Sequence, residues 1–255
     1  MSESVLDLEF TGERIIPGKT PEILFREHEE RYVFAAQYVA GKNVLDLACG
    51  TGVGTDHLRK MGAASCYGID IDPTAIEYAK TAYDNCVFLC ADAVRLNLPD
   101  ESIDVIVSLE TIEHVLDQQR FLLECRRVLR PNGQIICSTP NRIIYRWQGQ
   151  NPFHARELTP DEFAGLIADH FGNVRLFSQA ERVYLPYLLR KLTLRVLDRL
   201  TLKGLFTSGL GPCRTDTRLE FSRDQALSQR FKPYRRHLFL EPMFLIAIGN
   251  KVTSR

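Results

Sequence analysis

From Asn43 onward, short apolar runs alternate with longer stretches of helical period, an order that points to a largely parallel sheet with helices on both faces. Seven runs qualify as strands: Val44 to Leu47, Cys66 to Asp70, Val87 to Cys90, Ile103 to Ser108, Gln134 to Thr139, Val174 to Phe177 and Phe239 to Ile248. Several are apolar throughout, as expected of strands covered on both sides. Helix starts are marked between them. Asp72-Pro73 combines a capping acid with a proline suited to the first turn, Thr159-Pro160-Asp161-Glu162 has the form of a capping box, and Asp117 can cap a helix through Leu129. Pro131-Asn132-Gly133 then reads as a turn back into the sheet.

At 255 residues the chain can bury the core of one α/β domain with length left for an insertion. Lys plus Arg equals Asp plus Glu at 32 each, so no overall field draws it to a polyanion or an anionic membrane. Seven cysteines without paired CxxC spacing argue against a disulfide framework or a zinc ribbon and for a reducing, cytoplasmic setting. No leader pattern or spanning apolar run is recognised. No pair of His or Cys has ligand spacing, so no metal is expected.

The sharpest local signal is Val44-Leu45-Asp46-Leu47-Ala48-Cys49-Gly50-Thr51-Gly52-Val53-Gly54, an apolar strand entering a glycine-rich turn that opens a helix. Residues without Cβ let backbone approach a ligand closely. The spacing is not the GxGxxG of dinucleotide sites, and an acid at Asp46 would face an ammonium better than a pyrophosphate. Asp70 ends the second strand, where it can accept from a ribose diol, and Asp92 follows the third, where it can accept from an adenine amino group. Three acids at successive strand ends thus outline a methionine end, a ribose and an adenine. Cys49 has no adjacent base and is expected to be a small packed residue.

These residues resemble the class I S-adenosylmethionine-dependent methyltransferases, with Asp46, Gly50 and Gly52 in the first motif and Asp70 and Asp92 in the second and third. Leu98 to Ile106 and Val128 to Gly133 resemble that family's fourth strand and the approach to its fifth. Ala48 departs from the pattern, where glycine is commoner. The resemblance implies a Rossmann-like seven-stranded α/β sheet whose seventh strand is antiparallel, with S-adenosyl-L-methionine as cofactor. The cofactor-side candidates are Asp46, Ala48, Gly50, Gly52, Asp70, Ile71, Asp92, Ala93 and Ser108.

Methyl transfer to a hydroxyl requires alignment and removal of a proton. His114, after the fourth strand, and His154, after the fifth, are the candidate bases, and the sequence does not separate them. The fourth-strand segment lacks the Asn/Asp-Pro-Pro-aromatic pattern of base-methylating enzymes, so no nucleic acid is expected as partner.

Phe10-Thr11-Gly12-Glu13-Arg14, Glu27-His28 through Arg31-Tyr32, and Asn151-Pro152-Phe153-His154 with Arg156-Glu157-Leu158 resemble a narrower group. These are bacterial methyltransferases associated with O-antigen and other surface-polysaccharide synthesis. The match continues through Glu162-Phe163 to Val174-Arg175-Leu176 and Gln179, and departs at Thr51, where an acid is expected, and at Ser178, where glycine is. It implies a small or glycan-linked hydroxyl acceptor, for which Tyr145, Trp147 and Phe153 would suit a sugar face. Methylation of another small metabolite and a non-catalytic adenosylmethionine-binding protein stand as alternatives.

Residues 1–40 are expected to lie over the cofactor and acceptor site. The core would comprise 41–179 and 238–255, with 180–237 a helical insertion. Within it, 184–206 reads as a helix with one leucine-rich side and a basic surround, fitting a lid or homo-oligomer helix ahead of peripheral membrane docking.

Overall fold

The computed structural model describes residues 8, 10, 14–145, 151–179, 231–233 and 243–252. The expected membrane, lid or oligomer helix at 184–206, Trp147 and the start of the last expected strand lie outside these residues, as does the Tyr145 side chain.

The strands are β1 (Asn43–Leu47), β2 (Ser65–Asp70), β3 (Val87–Cys90), β4 (Ile103–Ser108), β5 (Leu129–Pro140), β6 (Gly172–Gln179), β7 (Phe231–Pro233) and β8 (Phe244–Asn250). The helices are α1 (Glu22–Ala36), α2 (Val53–Lys60), α3 (Pro73–Ala82), α4 (Gln118–Val128), α5 (Arg142–Tyr145) and α6 (Pro160–Ala168). They form one sheet in the order β3-β2-β1-β4-β5-β8-β6-β7. The neighbouring pairs among β1 to β5 run parallel, whereas β8 is antiparallel to both β5 and β6.

The seven-stranded, mostly parallel α/β plan read from the sequence is therefore present, with β8 as its reversed strand. β7 is an addition, pairing antiparallel with β6 at the sheet edge. Three residues ending in proline give no readable period, and an edge is where a sheet tolerates that residue.

A second difference lies at Pro131 to Gly133. These residues belong to β5 and do not precede it: the register passes from Ile103↔Leu129 to Val105↔Gln134, so the extra residues form an irregularity in a continuous strand. Asn132 supplies the required left-handed backbone at φ 63°.

The helix starts follow the sequence signals. Asp72 accepts from the Thr74 amide, Asp117 from the Arg120 amide, and Thr159 and Glu162 close a reciprocal capping box on α6.

Alternation along the strands divides the core into two apolar layers. Leu45, Leu47, Ile135, Cys137, Leu245 and Ala247 face Phe121 and Leu122 of α4 and Phe163 and Ile167 of α6. Val44, Ile136, Ile246 and Ile248 face Tyr32 and Phe34 of α1 and Leu58 of α2. No helix among the described residues is long and apolar enough to cross a membrane.

Tyr32 enters the second layer because Gly54 leaves it room; a Cβ there would stand 1.9 Å from Cζ of the ring. Alanine in place of glycine favours a helix by roughly 1 kcal/mol, but overpacking typically costs 1–3 kcal/mol. Gly54→Ala should therefore lose up to about 2 kcal/mol net, read as a lower urea midpoint at unchanged slope.

Candidate functional site

The carboxyl ends of β1 to β4 lie side by side because their registers are level, with Leu47 opposite Ile69, Asp70 opposite Cys90 and Asp46 opposite Val107. In this strand order the chain reverses direction across the sheet between β1 and β4, where open α/β sheets leave a crevice for ligands.

The glycine turn after β1 is bent by successive left-handed residues: Ala48 at φ 63°, Gly50 at 55° and Gly52 at 79°. Ala48 therefore occupies a conformation that costs an L-residue roughly 1–2 kcal/mol. Neighbours hold the turn in place. The Gly50 amide donates to Oδ2 of Asp70 at 2.8 Å, the Asp72 amide donates to its Oδ1 at 2.9 Å, and the Cys49 amide donates to the Ile69 carbonyl at 3.0 Å.

The segment before α1 straps this turn. Thr51 Oγ1 donates to the Ile15 carbonyl at 2.8 Å and Arg14 pairs with Asp72 at 2.6 Å. Thr51, a departure from the narrower resemblance, thus has a structural use for its hydroxyl.

Asp46 differs most from its expected role. It has no exposed surface, and its carboxylate meets protein groups rather than an open ligand site. Tyr32 Oη straddles its two oxygens at 3.0 and 3.2 Å, and Thr55 Oγ1 donates to Oδ2 at 2.6 Å. The reason is the strand period: Asp46 shares a face with Val44, under α1 and α2.

Burial pushes the Asp46 carboxyl up to about 7; hydrogen bonds from Thr55 and Tyr32 oppose the rise and the charge of Asp70 adds to it. Burial also lifts the Cys49 thiol far above its ordinary value, in keeping with a packing role.

Asp92 is exposed and accepts from the Val94 amide at 3.0 Å, with Ala93 half-buried beside it. Ile71 presents an apolar side chain 68% exposed. Ser108 is buried and donates to the Leu47 carbonyl at 3.1 Å.

Beyond β4 and β5 the structure brings both candidate histidines together, their rings nearly perpendicular and 4.9 Å apart. The β4 and β5 loops are joined by the Ala155 and Arg156 amides, which donate to the Glu113 carbonyl at 2.7 and 3.0 Å. His114 Nδ1 lies 3.0 Å from the Phe153 carbonyl oxygen and His154 Nδ1 lies 2.8 Å from Glu157 Oε1. A carbonyl only accepts, and so does a carboxylate, so each Nδ1 is the donor in these contacts. Asn151 Nδ2 stands 3.0 Å from His154 Nε2.

Glu113, absent from the sequence-based candidates, is 1% exposed and accepts from Thr139 Oγ1 at 3.1 Å. Burial, then the charge of Glu110, raises its carboxyl well above the usual range. Tyr32, Thr55, Asn151 and Glu157 were likewise missed as site residues.

Residues 45–137 match the family model of a methyltransferase domain. A probable S-adenosylmethionine-dependent methyltransferase from Mycolicibacterium smegmatis is 41% identical over 164 residues, 63% of this chain and 63% of that protein. Residues 45–137 are thus similar in sequence to adenosylmethionine-dependent methyltransferase domains. The chain spans under two thirds of the length of that mycolicibacterial relative. The methyltransferase fold extends beyond the matched residues: the SAM-dependent methyltransferase of Thermotoga maritima superposes with a TM-score of 0.58 at 19% identity, over 90% of this chain and 94% of that one. A ubiquinone biosynthesis O-methyltransferase from Bradyrhizobium diazoefficiens is 29% identical over 177 residues, 62% of this chain and 68% of that protein.

The raised Asp46 value predicts a pH dependence. A carboxyl whose folded pKa lies near 7 and whose unfolded pKa lies near 4 binds more protons when folded, so its contribution is complete below about 4 and is lost as pH rises through about 7. The stability of the native chain relative to Asp46→Asn should fall across that window and flatten above it, as urea unfolding at a series of pH values would show.

Proposed function

We propose that this protein transfers the methyl group of S-adenosylmethionine to a hydroxyl of a small or glycan-linked acceptor. The observation that carries this reading is the carboxylate-held His154 beside His114, on loops that leave the same sheet edge as the cofactor-side acids. The relationship to an O-methyltransferase supports it.

The residues at the β1 to β3 ends fit the cofactor. The glycine turn leaves Gly50 half-buried while Gly52 packs against Ala79 and Phe88, with Ala48 and Ser108 flanking the methionine end, and Asp70 retains lone pairs for a ribose diol after its two amide bonds. Ile71 offers an apolar face to an adenine, with Asp92 and Ala93 at its edge. Asp46 acts indirectly, by fixing the helices around the turn. Residues 14–15 keep the turn covered from the N-terminal side, which supports assigning residues 1–40 to this site.

Bound cofactor supplies a sulfonium methyl. With it bound, the acceptor oxygen would form the new O–C bond, the S–C pair would stay on sulfur and the hydroxyl proton would leave, so charge would balance. His154 takes that proton or orients the acceptor, Glu157 fixing its tautomer. The exposed side chains of Phe153 and Leu116, 57% and 93% accessible, give an apolar rim suited to an acceptor face.

The surface-polysaccharide setting rests on resemblance, supported by where its residues lie. Asn151, His154 and Glu157 form one hydrogen-bonded group, while Arg31, Glu30 and Gln179 form another: Arg31 Nη1 donates to Gln179 Oε1 at 2.6 Å, and Gln179 Nε2 to Glu30 Oε2 at 3.1 Å. The six free cysteines among the described residues support a reducing, cytoplasmic location.

Asp70→Ala removes a charged acceptor and should weaken adenosylmethionine binding by about 1.5–3 kcal/mol in calorimetry. Unchanged affinity would take Asp70 out of the site. His154→Ala should keep that affinity and lower turnover on bacterial glycan and small-metabolite fractions by roughly 10²–10⁴-fold, the usual share of general base catalysis. Near-normal turnover there with a collapsed rate in His114→Ala would move the role to His114. Saturable cofactor binding with no labelled product from any fraction would favour a non-catalytic binding protein.

A further inference from the structure

The groove between α1 and α2 is built from two matching helix faces. Phe25, His28, Glu29 and Tyr32 recur at helical spacing on α1, and Val53, Asp56, His57 and Lys60 recur at the same spacing on α2. Packed helices usually meet through apolar stripes. Here polar residues stand among the apolar ones. The helices approach closely where Tyr32 fits against Gly54, and a cavity of about 170 Å³ remains between the two stripes. We propose that this cavity binds a small organic ammonium ion with an aromatic body, and that its occupancy is coupled to the glycine turn. None of the side chains proposed above to touch cofactor or acceptor lines it.

The chemistry of the walls selects this class of ligand. A cavity of roughly 150 Å³ holds benzene, so a six-membered ring fits the space. Ile15, Phe25, Val53 and the Tyr32 ring supply apolar wall for it. Asp56 and Lys60 pair at 2.6 Å and cancel each other. Both imidazoles are neutral at pH 7: burial, then the charge of Arg31, lowers His28 to about 3, and burial lowers His57. The remaining charge is that of Glu29, which is exposed and forms no hydrogen bond or ion pair among the described residues. The cavity therefore carries one uncompensated negative charge at its mouth, which attracts a cation and opposes an anion.

His28 adds a second polar contact. Its ring meets Tyr32 edge-on at 5.3 Å and makes no hydrogen bond among the described residues, so a neutral imidazole lone pair is available to an ammonium N–H. The faces of the Phe25 and Tyr32 rings also attract an organic cation.

The link to the glycine turn runs through the same wall. Tyr32 donates to Asp46 at 3.0 Å, and Gly54 lies in the first turn of the helix that Gly52 opens. A ligand that fills the space beside Tyr32 holds α1 against α2, and so holds the Asp46 anchor under the turn. Linkage then requires each ligand to raise the affinity of the other by the same factor.

The test uses the full chain and benzylamine, with benzyl alcohol and benzoate as neutral and anionic probes of similar size. Calorimetry should show one equivalent of benzylamine bound at least about tenfold more tightly than either, the scale of a charged hydrogen bond. Glu29 is exposed, so its variants change charge with little effect on packing. At unchanged melting temperature, Glu29→Gln should lose the preference for benzylamine and Glu29→Lys should turn it towards benzoate. Benzylamine should still bind when adenosylhomocysteine is saturating, each tightening the other by about fivefold or more. Asp70→Ala should bind benzylamine like the native chain while losing cofactor affinity, which keeps failure of this site distinct from failure of the methyl-transfer reading. Absence of benzylamine binding, equal binding of benzoate, or a preference unchanged in Glu29→Gln would overturn the site. Competition between benzylamine and adenosylhomocysteine would overturn it too, by making the cavity part of the cofactor site. Benzylamine binding that leaves cofactor affinity unchanged would overturn the coupling.

Discussion

The buried carboxylate of Asp46 is the interaction on which the cofactor edge depends. It lies on β1 and binds Tyr32 of α1 and Thr55 of α2, so three elements distant in sequence converge on one pair of oxygens. In so dry a setting each hydroxyl would be costly to leave unpaired, and the three positions are fixed together. The glycine turn begins two residues later. Its left-handed residues, including the strained Ala48, are held between this anchor and the Asp70 carboxylate before any ligand arrives. Preorganisation of this kind spares a ligand the cost of ordering the loop.

Much of the fold is legible in the sequence because its signals are local. Apolar runs, capping acids and the proline after Asp72 each act within a turn or two, and strands and caps appear where they indicate, whereas the reversal of the final strand was implied only by the family resemblance. The start of β5 was less so, since Pro131-Asn132-Gly133 has the chemistry of a turn whether the chain leaves the sheet or bulges within it. The role of Asp46 was legible in principle. A residue two positions from Val44 on a strand must face the same layer, and that layer is the α1/α2 core. Reading the acid by its distance from the glycines, rather than by the parity of the strand, pointed it outward.

The histidine pair obeys a different logic. His114 and His154 are separated by the whole of α4 and β5, and their encounter comes from β4 and β5 being neighbours. The backbone clamp on Glu113 completes it, and backbone donors leave no mark on residue identity. Only part of this was visible. Asn151, His154 and Glu157 stood out through resemblance, yet that they form a single hydrogen-bonded unit follows from the loop geometry.

The two halves of the site are joined by a short, stiff piece of chain. Ser108, bonded to the β1 carbonyl at Leu47, is two residues from Glu110, whose amide and carboxylate both engage Ser138 of β5 at 3.0 and 2.5 Å. Glu110 adopts φ 53° to make this turn, a conformation uncommon for a residue with a side chain. The strain is tolerated because the paired contacts to Ser138 over-determine the backbone there. Glu113 and His114 follow immediately, in a one-turn 3₁₀ segment. The Ser108 bond to β1 thus opposes any shift of β4 against β1 that would change the distance between the glycine turn and the histidine cluster. The proposed methyl transfer would need nucleophile and methyl aligned to within a fraction of an ångström, and strands tied to each other in this way are a direct means of holding that distance.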